Sequence, residues 1–253
     1  MFHLRIIDNW FLNGKLMILS GIMPIKECDV PTSHKLEASA ALGRIAIFVY
    51  DDVEPIDIGG TYGVFSMAKR VVPELTFFTV AEADRVIELS SGLRMLPDYS
   101  FANCPDADAL IICGGPGWIE QRENPAVIAF IKSRAPATIV ASVCTGGLIL
   151  AATGLLDGLP ATTRRRGIGD EESPLDILGH AHRKTNPIEA LLVDCGGIVT
   201  GGGVSLAIDT SLHLIGKLFG AAAAQSTAKT IEYDAAWTAN KQRLPVIDTQ
   251  LAN

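Results

Sequence analysis

The residues best suited to chemistry lie in Ile139-Val140-Ala141-Ser142-Val143-Cys144-Thr145-Gly146-Gly147-Leu148-Ile149-Leu150, an apolar run that stops at a cysteine and resumes as an apolar helix. A sharp strand-to-helix turn holds the thiol above the sheet edge, where the unpaired N–H groups of the first helical turn point at it. That turn is strained and needs small neighbours, a need that Thr145, Gly146 and Gly147 meet. Donors and helix dipole are expected to favour thiolate over thiol and to lower the Cys144 pKa into the reactive range. The chemistry implied is covalent catalysis through sulfur. Two other stretches end in reactive or ligand-ready residues: Asp51-Asp52-Val53-Glu54-Pro55-Ile56-Asp57, and Cys113-Gly114-Gly115-Pro116-Gly117. The glycines let a backbone approach a ligand, yet they match neither the dinucleotide fingerprint nor the phosphate loop.

The elements that must position these residues alternate. Ile45 to Tyr50, Leu75 to Ala81, Ala109 to Cys113 and Ile139 to Ser142 are apolar runs of the kind buried on both faces of a parallel sheet. Helices are predicted between them, over Ile58 to Lys69 and Pro125 to Ala135, with Asp57 in a loop at the end of the first strand. Val86 to Leu89 and Leu93 to Leu96 flank Ser90-Ser91-Gly92 as an inserted hairpin. The pattern predicts an α/β, doubly wound and mostly parallel sheet, with helices on both faces and a nucleophile elbow at Cys144. In such a sheet, ligands bind outside the carboxyl ends of the strands, so Asp57, Gly115 and Cys144 can converge on one crevice.

Beyond Cys144 come a short strand candidate at Ala161-Thr162-Thr163, a basic Arg164-Arg165-Arg166, a hairpin over Leu191 to Thr200, and a helix from Val204 to about Phe219. Asp209 lies inside that apolar helix, where an unpaired carboxylate would be costly, so a buried hydrogen bond is expected. A last helix is predicted over Ala221 to Ile231, followed by a polar tail after Tyr233. His180 and His182, two apart, would share a face on a strand, but no third ligand completes a metal site, and none is expected. Residues 1–43 read as an N-terminal extension with Met23 as an alternative start, 44–240 as the domain, and 241–253 as a C-terminal tail.

The chain has 253 residues, 48% of them apolar, and a net charge of −7 without a basic block of the kind a duplex-binding surface needs, which argues against a nucleic-acid partner. No apolar run is long enough to span a bilayer. Five scattered cysteines without C-x-x-C spacing fit a reducing cytoplasm better than a disulfide scaffold.

From Arg44 to Tyr233 the sequence resembles the DJ-1/PfpI superfamily, and within it the branch of isonitrile hydratases and of the ligand domains of related AraC-type regulators. The resemblance rests on Ile45 to Tyr50 with Pro55-Ile56-Asp57, Cys113-Gly114-Gly115-Pro116-Gly117, Val143-Cys144-Thr145-Gly146, Ala161-Thr162-Thr163, Thr200-Gly201-Gly202-Gly203 with Ile208-Asp209, and Glu232-Tyr233. It implies a flavodoxin-like α/β sandwich, a homodimer that needs no cofactor and acts on a small molecule. It also implies Cys144 as nucleophile, Asp57 as acid and base, and Thr145 as an essential neighbour. Gly114 would line the substrate, and the N–H groups of Gly115 and Thr145 would stabilise charge in the tetrahedral stage. Asp57, buried beside sulfur, is expected to have a raised pKa.

The chain departs from that pattern at Arg164, where many relatives carry a histidine after the Thr-Thr pair, and at Asp234-Ala235-Ala236-Trp237, which replaces a proline-rich finish. Arginine cannot serve as a base; it could hold an anionic substrate or stabilise the thiolate. Protease-type hydrolysis loses support accordingly. The leading expectation is hydration of an isonitrile to an N-substituted formamide. Alternatives are a DJ-1-type glyoxalase or deglycase, and a redox sensor oxidised at Cys144. A regulator domain is disfavoured, because about twenty residues after Tyr233 are too few for a helix-turn-helix unit.

Overall fold

The computed structural model describes residues 43–250, so the readings for residues 1–42, Met23 included, lie outside the described residues. Its centre is an eight-stranded sheet built from β1 (Arg44–Phe48), β2 (Thr76–Ala81), β5 (Tyr99–Ser100), β6 (Ala109–Ile112), β7 (Ile139–Ser142), β10 (Leu192–Asp194), β11 (Ile198–Gly201) and β12 (Val246–Asp248). Short pairs complete the strands: the antiparallel hairpin β3 (Ile87–Glu88) and β4 (Arg94–Met95), and the parallel β8 (Pro160–Ala161) and β9 (Asn186–Pro187). The order across the large sheet is β12-β10-β11-β7-β6-β1-β2-β5. All neighbours run parallel except β10 and β11.

This is the α/β, flavodoxin-like arrangement that alternating apolar runs require, because a parallel sheet is covered on both faces by its crossover helices. Strands β1, β6 and β7 are buried almost along their whole lengths. The helices are α1 (Pro55–Ile58), α2 (Val64–Ala68), α3 (Trp118–Gln121), α4 (Pro125–Arg134), α5 (Gly146–Ala152), α6 (Pro174–Ala181), α7 (Ala207–Phe219), α8 (Ala221–Thr230) and α9 (Asp234–Arg243). Among the described residues no helix is long and apolar enough to cross a membrane.

Three expectations are corrected. Asp57 is not in a loop: Pro55, with its fixed φ and missing N–H, opens α1 at its first position, so Asp57 lies in the first turn. A π-helical turn, Gly59–Gly63, joins α1 to α2. His180 lies in the last turn of α6 and His182 caps it, so the two do not share a strand face. The segment after Tyr233 is not a polar tail. It forms α9, whose Trp237 is buried, and then β12, which extends the sheet beside β10 in the register Val193 to Ile247.

Register places the chemistry. Phe48 pairs with Ile112 and Ile112 with Ser142, while Thr200 pairs with Ser142 from the other side. The carboxyl ends of β1, β6, β7 and β11 therefore finish level, and the loops leaving them meet above one edge of the sheet.

Candidate active site

Cys144 follows β7 by two residues and precedes α5 by two. Its φ of +52° lies in the left-handed region, which a non-glycine residue occupies only when its surroundings enforce it. Three contacts do so. The Cys144 N–H donates to Gly202 O at 3.2 Å, Thr163 Oγ1 donates to Cys144 O at 2.6 Å, and the Gly146 N–H donates to Val143 O at 3.0 Å. Small residues are obligatory around this turn. A methyl group on Gly114 would lie 2.6 Å from Thr145 N and 2.8 Å from Cys144 Cβ. One on Gly203 would lie 3.0 Å from Cys144 Sγ and 2.8 Å from Arg164 Cβ.

Asp57 reaches the same place from α1. Its side chain is fully buried, and Oδ2 accepts the Gly114 N–H at 2.7 Å. Oδ1 is buried with no formed hydrogen bond among the described residues. Burial pushes the Asp57 pKa up to about 7, against the Gly114 hydrogen bond, with Glu54 adding to the rise and the Cys144 thiol and Arg164 opposing it. Helix α1 is held by Thr61, whose Oγ1 donates to Asp57 O at 2.7 Å, and by Ser211, which donates to Gly60 O at 2.8 Å.

The expectation of a lowered Cys144 pKa is corrected. Burial and the nearby Asp57 carboxylate push the thiol well above its ordinary range, and the Thr145 N–H and the Arg164 charge offset this only in part. The thiol is 3% exposed, so water cannot solvate a thiolate there. With the thiol raised far above the carboxyl, the first negative charge of this pair falls on Asp57, which is about half ionised at pH 7.

The structure brings Asp57, Gly114, Gly115, Cys144, Thr145 and Arg164 together. Gly115 sits at φ +143°, and its N–H donates to Thr145 Oγ1 at 2.9 Å. That donor is therefore occupied, whereas the Thr145 N–H favours negative charge on the sulfur. Arg164 is mostly buried. Its Nη2 pairs with Glu171 Oε2 at 3.1 Å, while Nε is buried without a partner among the described residues. Arg165 turns away to Glu189 at 2.8 Å. Thr163, which anchors the cysteine carbonyl, and Gly203, which makes room for the sulfur, are contributions that sequence reasoning did not single out as site residues. The run Gly201-Gly202-Gly203 after an apolar strand was the available signal for the second.

The DJ-1/PfpI family model matches residues 43–216. The chain belongs to the DJ-1/PfpI family. Among relatives of this DJ-1/PfpI protein, the isonitrile hydratase of Pseudomonas putida is 32% identical over 191 residues, which cover 75% of this chain and 78% of that one. The HTH-type transcriptional regulator GbdR of Pseudomonas aeruginosa is 28% identical over 143 residues, 56% of this chain but only 37% of the regulator. A ThiJ/PfpI family protein from Pseudomonas syringae has a similar structure, with a TM-score of 0.66, 26% identity and 83% of each chain covered. Schizosaccharomyces pombe DJ-1 shares the fold at a TM-score of 0.61 and 19% identity, over 74% of this chain and 98% of that one.

Proposed function

We propose that this DJ-1/PfpI protein hydrates an isonitrile to the N-substituted formamide without a cofactor, with Cys144 as nucleophile and Asp57 as the group that moves protons. The observation that carries the reading is the state of Asp57. One oxygen is anchored by the Gly114 N–H, the other is buried and unpartnered beside the thiol, and the pKa stands at about 7. A carboxyl group of that pKa is both acid and base near neutrality.

An isonitrile carbon accepts a nucleophile and a proton at the same atom, which suits a thiol and a carboxylate that share a single charge. In the first step the Cys144 proton passes to Asp57, sulfur bonds to the isonitrile carbon, and Asp57 delivers the proton to that carbon. The product is a thioimidate on Cys144, and Asp57 is again a carboxylate. Water then adds to the thioimidate carbon while Asp57 takes one of its protons and passes it to nitrogen. In the last step the carbon–sulfur bond breaks, the hydroxyl proton returns through Asp57 to sulfur, and the formamide leaves. No net charge enters the buried site at any stage, which removes the need for a preformed thiolate. The Thr145 N–H, which favours negative charge on sulfur, stabilises the charge that builds there as the carbon–sulfur bond breaks. With the Gly115 N–H held by Thr145 Oγ1, that hydroxyl positions the glycine loop at rest.

The test is conversion of cyclohexyl isocyanide to N-cyclohexylformamide by the purified protein, beside Cys144→Ala and Asp57→Asn. Turnover by the wild type and loss in both variants supports the reading. Turnover that survives in Cys144→Ala overturns it.

A further inference from the structure

Arg164 is the cation that both reacting groups feel, since its charge acts on Asp57 and on Cys144 alike. Its position is enforced. The preceding Thr162 N–H donates to Thr200 Oγ1 at 2.9 Å, Thr163 is tied to the Cys144 carbonyl, and the arginine stem lies along the bare backbone of Gly203. The same bare glycine borders the sulfur, so the stem and the nucleophile line one wall. A guanidinium offers its Nε–H and one Nη–H on a common edge, the fork that fits a carboxylate. Here Glu171, more than half exposed on its loop, fills the Nη2 arm, and the Nε arm is buried and empty-handed among the described residues. A buried cationic donor left without an acceptor is unfavourable, and a ligand acceptor would remove that penalty.

We propose that Arg164 makes this site selective for substrates that carry a carboxylate close to the reactive carbon, with Nε–H donating to one carboxylate oxygen. Glu171 is then a competitor for the guanidinium edge, one that a substrate carboxylate partly displaces. The substrate class would be small isonitriles bearing an acid group, and that part rests on the hydratase reading. The anion site itself does not.

Alkylation of Cys144 separates the two. Iodoacetate and iodoacetamide both form a carbon–sulfur bond with loss of iodide, and they differ in carrying an anion or a neutral amide. Their rate ratio at Cys144, read by peptide mass spectrometry, cancels any change in thiolate fraction. Relative to N-acetylcysteinamide in the same buffer, the wild-type ratio is expected to favour iodoacetate by about tenfold, the scale of one charge-assisted hydrogen bond. Arg164→Gln should abolish the preference, and Glu171→Gln should raise it by about twofold or more. A wild-type ratio no higher than that of the free thiol, or a preference unchanged in Arg164→Gln, overturns the proposal. Should Arg164→Gln fail to fold, a ratio that does not rise in Glu171→Gln overturns it equally. Isocyanoacetate and cyclohexyl isocyanide are then compared as substrates. Both inert with a high alkylation ratio would sink the hydratase reading and leave the anion site standing; cyclohexyl isocyanide hydrated with a flat ratio would do the reverse.

Discussion

Replacing Asp57 by asparagine should make the protein more stable while it abolishes turnover. Folding lifts this carboxyl from its ordinary 3.8 to about 7, so between those values the folded chain binds a proton that the unfolded chain does not. Its contribution to stability is therefore complete below the unfolded pKa and is lost as pH rises through about 7. The gap of about 3 on the pH scale, at about 1.36 kcal/mol each, makes an ionised Asp57 cost about 4 kcal/mol at pH 8. Asparagine is nearly the same shape and can still accept the Gly114 N–H, though without charge, which returns about 1 kcal/mol. The net gain is about 3 kcal/mol at pH 8 and close to zero at pH 4. In a domain of this size that corresponds to a rise of roughly 6–12 °C in Tm at pH 8. Urea unfolding of both proteins at pH 4, 6 and 8 reads it directly. A variant less stable than wild type at pH 8, or a difference that does not grow with pH, would refute the reasoning about Asp57.

Other perturbations have equally definite outcomes. Cys144 alkylation by iodoacetamide should be slow at pH 7 and still rising past pH 9, and Asp57→Asn should speed it by removing the adjacent anion; mass-spectrometric rates across pH check both. Gly203→Ala places a methyl group 3.0 Å from the sulfur and 2.8 Å from Arg164 Cβ, so kcat/KM should fall about 100-fold or more in steady-state assays. Thr145→Val strands the buried Gly115 N–H and should cost about 1–3 kcal/mol in urea unfolding, whereas Thr145→Ser should recover most of it. Burial works against ionised Asp194, yet hydrogen bonds from His213 at 2.7 Å and Lys217 at 3.0 Å outweigh it and hold the pKa low. That contribution is present above about pH 4 and is lost as pH falls through the folded pKa, so Asp194→Asn should destabilise the chain by about 3 kcal/mol at pH 7 and progressively less in acid.

What could be read from the chain was what local pattern encodes. Apolar runs such as Ile45 to Tyr50 and Ile139 to Val143 announce strands buried on both faces, and the residue types after them announce a turn built for a thiol. That is why the α/β fold and the cluster at the strand ends were legible. The side-chain environment was not, because it depends on what folds over the turn. The dipole argument at Cys144 expects a lowered pKa, but a side chain 3% exposed beside a carboxylate responds to burial first. Likewise the polar composition of Asp234 to Arg243 conceals a helix whose Asn240 donates to Asp209 at 3.1 Å and whose Trp237 is buried, with Lys241 over its ring. The hydrogen bond expected for Asp209 exists; of its partners Tyr233 and Asn240, the second lies on the polar segment whose composition reads as tail.

The central claim is that Cys144 bonds to the isonitrile carbon with Asp57 supplying the proton. Acid quenching during turnover of cyclohexyl isocyanide, followed by peptide mass analysis, measures it most directly. The account predicts a Cys144 peptide heavier by one isonitrile molecule in wild type, absent from Asp57→Asn and from Cys144→Ala. Formamide released with no such adduct at any quench time, or an adduct on Cys113 instead, would contradict it.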